Sequence, residues 1–121
     1  MICDRYAHSG VAYSASKGLN FDWCVNCDRG LVAPDAIIYL DLTVEEAMKR
    51  GDFGLERYEK KDFQEKIRET FLSLKARDEN TVPWHVIDAN KSKEELHTEI
   101  KLLVDRIIAE SAGQPLKKLW C

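Results

Sequence analysis

The sequence has no long hydrophobic run. Its hydrophobic residues, 45% of the chain, occur in short segments, far below the ~20 consecutive apolar residues of a membrane-spanning helix. It also has no large excess of either charge, since 18 Lys and Arg stand against 21 Asp and Glu, a net charge of -3. The first residues contain no basic segment with an apolar stretch and no Arg- and Ser-rich pattern, so no leader is predicted within them. We therefore expect no binding to membranes and no general affinity for nucleic acid.

Cysteine is present without a pattern that supports a metal site. One Cys-x-x-Cys pair, Cys24 and Cys27, stands in polar sequence that we read as irregular. A structural zinc site needs a second pair or histidines at ligand spacing, whereas the three histidines stand singly and receive no role. A zinc or redox module on this pair is the alternative. We predict reduced thiols, no metal site in the chain, and a cytoplasmic protein, with a nuclear or mitochondrial pool left open.

Two segments are predicted strands, and both end on an aspartate. Residues 36–41 are an almost unbroken apolar run, typical of a parallel strand covered on both faces. Residues 82–88 are similar, with a proline tolerated at the start. Helices should alternate with these strands, which indicates an α/β fold with a parallel sheet. The predicted helices span about 10–17, 43–50, 59–76 and 92–113, while 19–34 mixes helix and loop.

The boundaries of these helices rest on local signals. Thr43 and Ser92 each precede a glutamate by three residues, which predicts capping boxes. Lys17-Gly18 is typical of a helix end. The last helix carries an apolar stripe at helical spacing, formed by Leu96, Ile100, Leu103, Val104, Ile107 and Ile108.

The segment that begins with Asp4 and Arg5 is the first candidate site. Three apolar residues precede it, so we expect a short buried strand that ends at this charged pair. Ligands bind at the carboxyl ends of strands in open α/β sheets, and an arginine fork suits a phosphate. Ser9, Gly10 and Tyr13 would add a hydroxyl, a close backbone approach and a flat ring. A surface ion pair followed by a turn is the alternative.

A second candidate lies at Arg50-Gly51-Asp52-Phe53-Gly54, with Arg57 beyond it. Two glycines permit the dihedral changes by which a lid closes over a ligand. The alternative is a solvated helix end, where a cation is favoured in any case.

Taken together, these segments resemble the thymidylate kinase family, close to its eukaryotic branch. The resemblance is carried in order by Asp4-Arg5-Tyr6, Ser9-Gly10, Phe21-Asp22-Trp23-Cys24, Pro34-Asp35, Arg50-Gly51, Glu56-Arg57-Tyr58-Glu59, Asp88-Ala89-Asn90-Lys91-Ser92 and Leu119-Trp120. It implies transfer of the ATP γ-phosphate to dTMP, giving dTDP, with Mg²⁺ accompanying ATP, and a homodimer. The implied fold is a P-loop-kinase-like parallel sheet with flanking helices, in strand order 2-3-1-4-5.

The resemblance also implies a role for each matching residue. The catalytic group would be Asp4, Arg5, Arg50 and Arg57. Arg5 would bind the dTMP phosphate, with Ser9 and Gly10 at the thymine edge and Tyr13 and Tyr58 beside the sugar. Arg50 would serve the donor nucleotide as part of a lid at about 50–59. The adenine would be lined by Asp88, Ala89, Asn90 and Lys91, for which a plain strand-to-helix turn is the alternative.

The family's Gly-x-x-x-x-Gly-Lys-Ser/Thr loop does not occur in this sequence. That loop cradles the donor phosphates. We therefore expect residues 1–121 to be the C-terminal part of one kinase domain, inactive alone and aggregation-prone at an open sheet edge. The alternative is a non-catalytic product that binds nucleotide or pairs with a full-length kinase.

Overall fold

The computed structural model describes residues 1–50 and 61–121. In these two ranges, the helices and strands follow one another as α1 (Ala7–Ser16), α2 (Phe21–Cys27), β1 (Ile37–Asp41), α3 (Val44–Met48), α4 (Lys61–Arg77), β2 (Trp84–Asp88) and α5 (Lys93–Ser111). None of the helices described is both long enough and apolar enough to cross a membrane.

Strands β1 and β2 pair in parallel, with Ile37 opposite Trp84 and Asp41 opposite Asp88. Side chains alternate between the faces of a strand, so Tyr39 points to the same face as Trp84. There its ring meets Phe71 of α4, with 5.2 Å between the ring centroids. The predicted α/β class is confirmed, and the two terminal aspartates lie together at the carboxyl edge of the sheet.

The predicted helix ends are confirmed where local hydrogen bonds decide them. The Thr43 hydroxyl accepts from the Glu46 N–H at 3.2 Å, and the Glu46 carboxylate accepts from the Thr43 N–H at 3.3 Å. Ser92 accepts from the N–H of Glu95 at 3.1 Å, which is one of the two hydrogen bonds of the predicted capping box. Helix α1 ends at Ser16, with Lys17 as its C-cap, and Gly18 follows with a φ of 99°, which only glycine adopts easily. Local sequence was sufficient for these boundaries.

Three predictions on local structure need correction. Residues 1–3 form no strand and are exposed, because they have no pairing partner in the part of the chain described. Helix α1 begins at Ala7 rather than near Gly10. Cys24 and Cys27 lie in a regular helix, which Asn20 caps by accepting from the Trp23 N–H at 2.9 Å.

Other differences are shifts of a few residues. Helix α3 ends at Met48 instead of reaching Arg50. Strand β2 begins at Trp84, immediately after Pro83, which has no N–H to donate to a ladder. Residues 59 and 60 of the helix predicted at 59–76 lie outside the described residues.

The core lies between helices α1, α2 and α4. Its buried members are Val11, Ala12, Cys24, Val25, Ile67 and Leu74. A second cluster joins Ala7, Val82 and Leu119, and Trp120 packs against both clusters. The last residues of the chain are thereby held against the beginning of α1.

Helix α5 contributes little to this core, since none of its residues is buried. Its predicted stripe is half-buried, except for Ile108, which is 63% exposed. Beside it, a cavity of about 310 Å³ lies between Ile107 and the beginnings of both strands, at Ala36 and His85. This cavity is at the edge of the sheet opposite Asp41 and Asp88.

Candidate functional site

Arg5 has an unusual backbone conformation two residues before α1 begins. Its φ is 66°, a left-handed conformation that residues with side chains rarely adopt. Its carbonyl accepts from the Cys3 thiol at 3.0 Å, and its guanidinium carbon lies 5.3 Å from the centroid of the Tyr13 ring. Asp4, next to it, is exposed. Backbone conformations of this kind cluster at binding and catalytic sites.

The face of α1 that extends from Arg5 is open. Ser9 and Tyr13 are half-buried, and Gly10 is exposed. A Cβ added at Gly10 would meet no atom within 4 Å. Positions 9, 10 and 13 are neighbours on one helical surface. The structure therefore brings four predicted site residues together around an accessible surface: Arg5, Ser9, Gly10 and Tyr13.

The beginning of α1 is held by side chains rather than by a cap. Its N-cap residue, Tyr6, makes no capping hydrogen bond and instead donates its hydroxyl to the Val32 carbonyl at 2.9 Å. The first turn of the helix carries His8, which is buried, with Nε2 2.7 Å from Asp78 Oδ2. Sequence reasoning gave His8 no role beyond filling core or surface. No local signal reveals its partner, since the two residues are 70 positions apart.

A second group of predicted site residues meets at the carboxyl end of β2. The Arg50 guanidinium donates from Nη2 to the Ala89 carbonyl at 2.8 Å. Asn90 donates its side-chain amide to Glu46 at 2.8 Å and its backbone N–H to Asp88 at 2.9 Å. Lys91, from the same loop, pairs with Glu99 of α5. The structure thus places Arg50 directly on the predicted adenine-lining loop.

An ion pair at the end of β1 was not foreseen. Arg68 of α4 makes two hydrogen bonds to Asp41, from Nε and Nη2, each 2.9 Å. These hydrogen bonds hold the pKa of the Asp41 carboxyl below its usual value, against the opposing effect of burial. The bidentate pair ties α4 to the sheet edge where Arg50 and the loop after β2 lie.

Arg57 and Tyr58 lie outside the described residues, as does the predicted lid from residue 51 onward. Among the residues that are described, no three His, Cys, Asp or Glu side chains gather in a way that could hold a metal ion. Cys24 and Cys27 are free, and burial, followed by the proximity of Cys27, raises the pKa of Cys24. A raised pKa disfavours the thiolate that zinc binding or thiol chemistry requires.

Comparison with known proteins adds independent information. The model of the thymidylate kinase family matches residues 1–100. Thymidylate kinase of Dictyostelium discoideum is 47% identical over 105 residues, covering 87% of this chain and 46% of the relative. That of Homo sapiens is 40% identical over 121 residues, covering 99% of this chain and 56% of the relative. The chain therefore spans about half the length of these relatives.

A solved structure agrees with these matches. The thymidylate kinase from Candida albicans superposes with a TM-score of 0.76 at 27% sequence identity, covering 96% of this chain and 59% of that one. The two-stranded parallel sheet and its helices thus have the arrangement found in that kinase.

Proposed function

The chain belongs to the thymidylate kinase family, and from that premise we propose that it provides the acceptor side of a site that transfers the ATP γ-phosphate to dTMP, giving dTDP. We place residues 1–121 in the C-terminal part of one kinase domain, with a lid at about 50–59. The observation that carries the proposal is the left-handed Arg5 beside Tyr13 and the open surface at Gly10. Family homodimerisation and cytoplasmic location remain predictions.

The acceptor residues match what dTMP requires. Arg5 would bind the phosphate with its planar fork of donors. Asp4, exposed beside it, would orient the guanidinium. Ser9 and Gly10 would face the thymine edge, where the missing Cβ allows close approach. Tyr13 would pack beside the sugar, and Tyr58 is proposed for the same region.

The residues on the ATP side would act mainly by aligning the nucleotide and by stabilising charge. Transfer to a phosphate acceptor needs no general base, because the attacking oxygen is already anionic near neutral pH. Its requirement is alignment and stabilisation of the charge that develops. Arg50 would serve this purpose together with Arg57, and the loop at 88–91 would line the adenine. The hydrogen bond from Arg50 to Ala89 supports this arrangement, since it links the arginine to that loop.

The residues present fit an Mg²⁺ ion that arrives with ATP. Mg²⁺ keeps most of its water and is usually held by one or two carboxylates and the substrate phosphates. Asp4 is an exposed carboxylate adjacent to Arg5, so it is the residue that would contact a metal-bound water. When bound, the ion would neutralise phosphate charge.

A second candidate function is a non-catalytic, nucleotide-binding or dimerising product of a thymidylate kinase gene. It is favoured by the two-stranded sheet, in which Leu40 and Val86 remain 45% and 43% exposed. Apolar side chains at these positions suit contact with a further polypeptide. In that case the chain would bind dTMP or a full-length kinase without turnover.

Activity measurements test the proposal. The chain by itself is expected to show no measurable turnover of ATP and dTMP in a coupled assay, because its sequence contains no phosphate loop to position the donor. Joined behind the upstream residues of the Danio rerio thymidylate kinase, of which it covers 56%, it is expected to support turnover. Turnover of about 1 to 100 per second by the chain alone would contradict the first expectation. A folded, inactive joined protein would contradict the kinase assignment.

The substitution Gly10→Ala should weaken dTMP binding without lowering the stability of the protein. Alanine is favoured over glycine inside a helix by up to about 1 kcal/mol, and the added Cβ meets no atom of the protein. We expect an unchanged or slightly higher melting temperature together with weaker dTMP binding, measured by calorimetry on the joined protein. Ala15→Gly, in the same helix, is the reverse control and should lower the melting temperature without weakening binding. Equal dTMP affinity in Gly10→Ala would exclude close approach of the ligand at this position.

A further inference from the structure

The carboxylate of Asp78 is fully buried and connects three distant segments. It accepts from His8 Nε2 at 2.7 Å, from Trp84 Nε1 at 3.0 Å and from Trp120 Nε1 at 2.9 Å. Its exposed fraction is 0%. In the described part of the chain, no buried side-chain nitrogen or oxygen lacks a partner. The carboxylate is therefore charged, buried and satisfied by donors from α1, β2 and the C-terminal residues.

Aromatic contacts fix the orientation of the histidine as well. The His8 ring stands edge-on to Trp84, with 5.5 Å between centroids, and to Trp120, with 5.0 Å. The tail that carries Trp120 is itself held, since Leu119 exchanges backbone hydrogen bonds of 2.9 and 2.7 Å with Gly30 and Leu31. A buried polar network of this kind stabilises one arrangement of its members, because any other leaves a donor unpaired.

The position of His8 relates this network to the acceptor residues. It precedes Ser9 and Gly10 directly and follows Arg5 by three residues. While Ser9 and Gly10 face outward, His8 faces the interior, so the first turn of α1 has one side in the network and the other on the open surface. That helix end lacks a side-chain cap. Besides the network, it is held by the hydrogen bond from Tyr6 to Val32 and by the packing of Ala7 against Val82 and Leu119.

We propose that His8 is a positioning residue for the acceptor nucleotide: through Asp78, it holds the first turn of α1 where Ser9, Gly10 and Arg5 meet dTMP. This inference rests on the proposed function. His8 itself does not touch the nucleotide. Trp84 and Trp120 complete the anchor, so the C-terminal residues also support the acceptor side.

The test compares donor-retaining and donor-lacking replacements of His8 in the joined protein. His8→Phe keeps a ring between the tryptophans but cannot donate to Asp78, whereas His8→Gln retains an N–H at similar reach. The control is His97→Phe, on the exposed surface of α5. Two quantities are measured by NMR: the hydrogen exchange rates of the amides in the first turn of α1, and the dTMP affinity from shifts of the Ser9 and Gly10 amides.

Loss of a hydrogen bond to a charged group should accelerate exchange in this turn by about tenfold or more in His8→Phe. We expect dTMP affinity to fall by at least about fivefold, a smaller change than that in exchange. His8→Gln should restore both quantities to within about twofold, while His97→Phe matches the wild type. Exchange in α5 should not change in any variant.

Two results would contradict the proposal, and they can be told apart. If the wild-type amides show no shift with dTMP, the proposed acceptor site and the role of His8 both fail. If the wild type binds and His8→Phe binds equally well, only the role of His8 fails. Should His8→Phe not fold, Trp120→Phe replaces it, since it removes one donor to the same carboxylate and keeps the ring; unchanged exchange and affinity in that variant would also overturn the proposal.

Discussion

Replacing Asp78 by alanine is expected to lower the free energy of unfolding of the joined protein by about 3 kcal/mol or more, because three donors lose their buried acceptor, at about 1 to 3 kcal/mol each. The substitution leaves His8, Trp84 and Trp120 with buried donors and no acceptor. Domains are typically stable by about 5 to 15 kcal/mol, so this loss is a large fraction of the total.

Urea unfolding followed by tryptophan fluorescence and by circular dichroism measures this effect. Trp84 and Trp120 contact the carboxylate, so their emission reports on the network directly. The matched control is Asp105→Ala, which removes an exposed carboxylate of α5 and should change stability by less than about 0.5 kcal/mol. A loss below about 1 kcal/mol in Asp78→Ala would mean that the three donors find other partners.

Acid should lower the stability of the protein through the same hydrogen-bond network around Asp78. Burial acts to raise the pKa of Asp78, but the hydrogen bonds from His8, Trp84 and Trp120 outweigh it, and the pKa lies below the ordinary 3.8. A carboxyl with a lowered folded pKa stabilises the protein fully above its unfolded pKa, and this contribution is lost as the pH falls through the folded pKa. Stability should therefore decline below about pH 4, and less steeply in Asp78→Asn. Asp41, paired with Arg68, adds a decline of the same sign.

Replacing Arg5 by alanine in the joined protein is expected to reduce kcat/KM for dTMP by about 10² to 10³-fold, the usual effect of removing a donor to developing charge. Alanine leaves the left-handed backbone as unfavourable as arginine does, so the loss should reflect the guanidinium alone. Arg5→Lys should recover only part of the activity, because an ammonium retains the charge but not the bidentate geometry.

The control for Arg5 is Arg106→Ala. Arg106 is an exposed arginine of α5 that pairs with Glu110 one turn along the helix, and its loss should leave kcat/KM unchanged within about twofold. Steady-state kinetics at saturating ATP separate kcat from KM for dTMP. An Arg5→Ala protein that retains wild-type kcat/KM would show that another residue binds the acceptor phosphate.

Local rules were sufficient for most of the architecture. The apolar run before Asp41 identified β1, and the spacing of Thr43 and Glu46 identified the beginning of α3, because each signal depends on residues close in sequence. The predicted cover on both faces of β1 was wrong, since none of its residues is buried and Leu40 is 45% exposed. The same rules misjudged residues 1–3, since a strand exists only when a partner strand is in place.

The candidate site likewise combines motifs that the sequence identified with contacts that only the structure showed. The sequence alone placed Arg5, Gly10, Arg50 and Asp88 in recognisable motifs of one kinase family, because those motifs are contiguous. It contained no sign that Arg50 contacts the Ala89 carbonyl or that Asp41 pairs with Arg68, residues 39 and 27 positions apart. Only the tertiary structure joined Asp78 to His8 and Trp120, since contacts across 70 and 42 residues depend on the path of the folded chain rather than on local spacing.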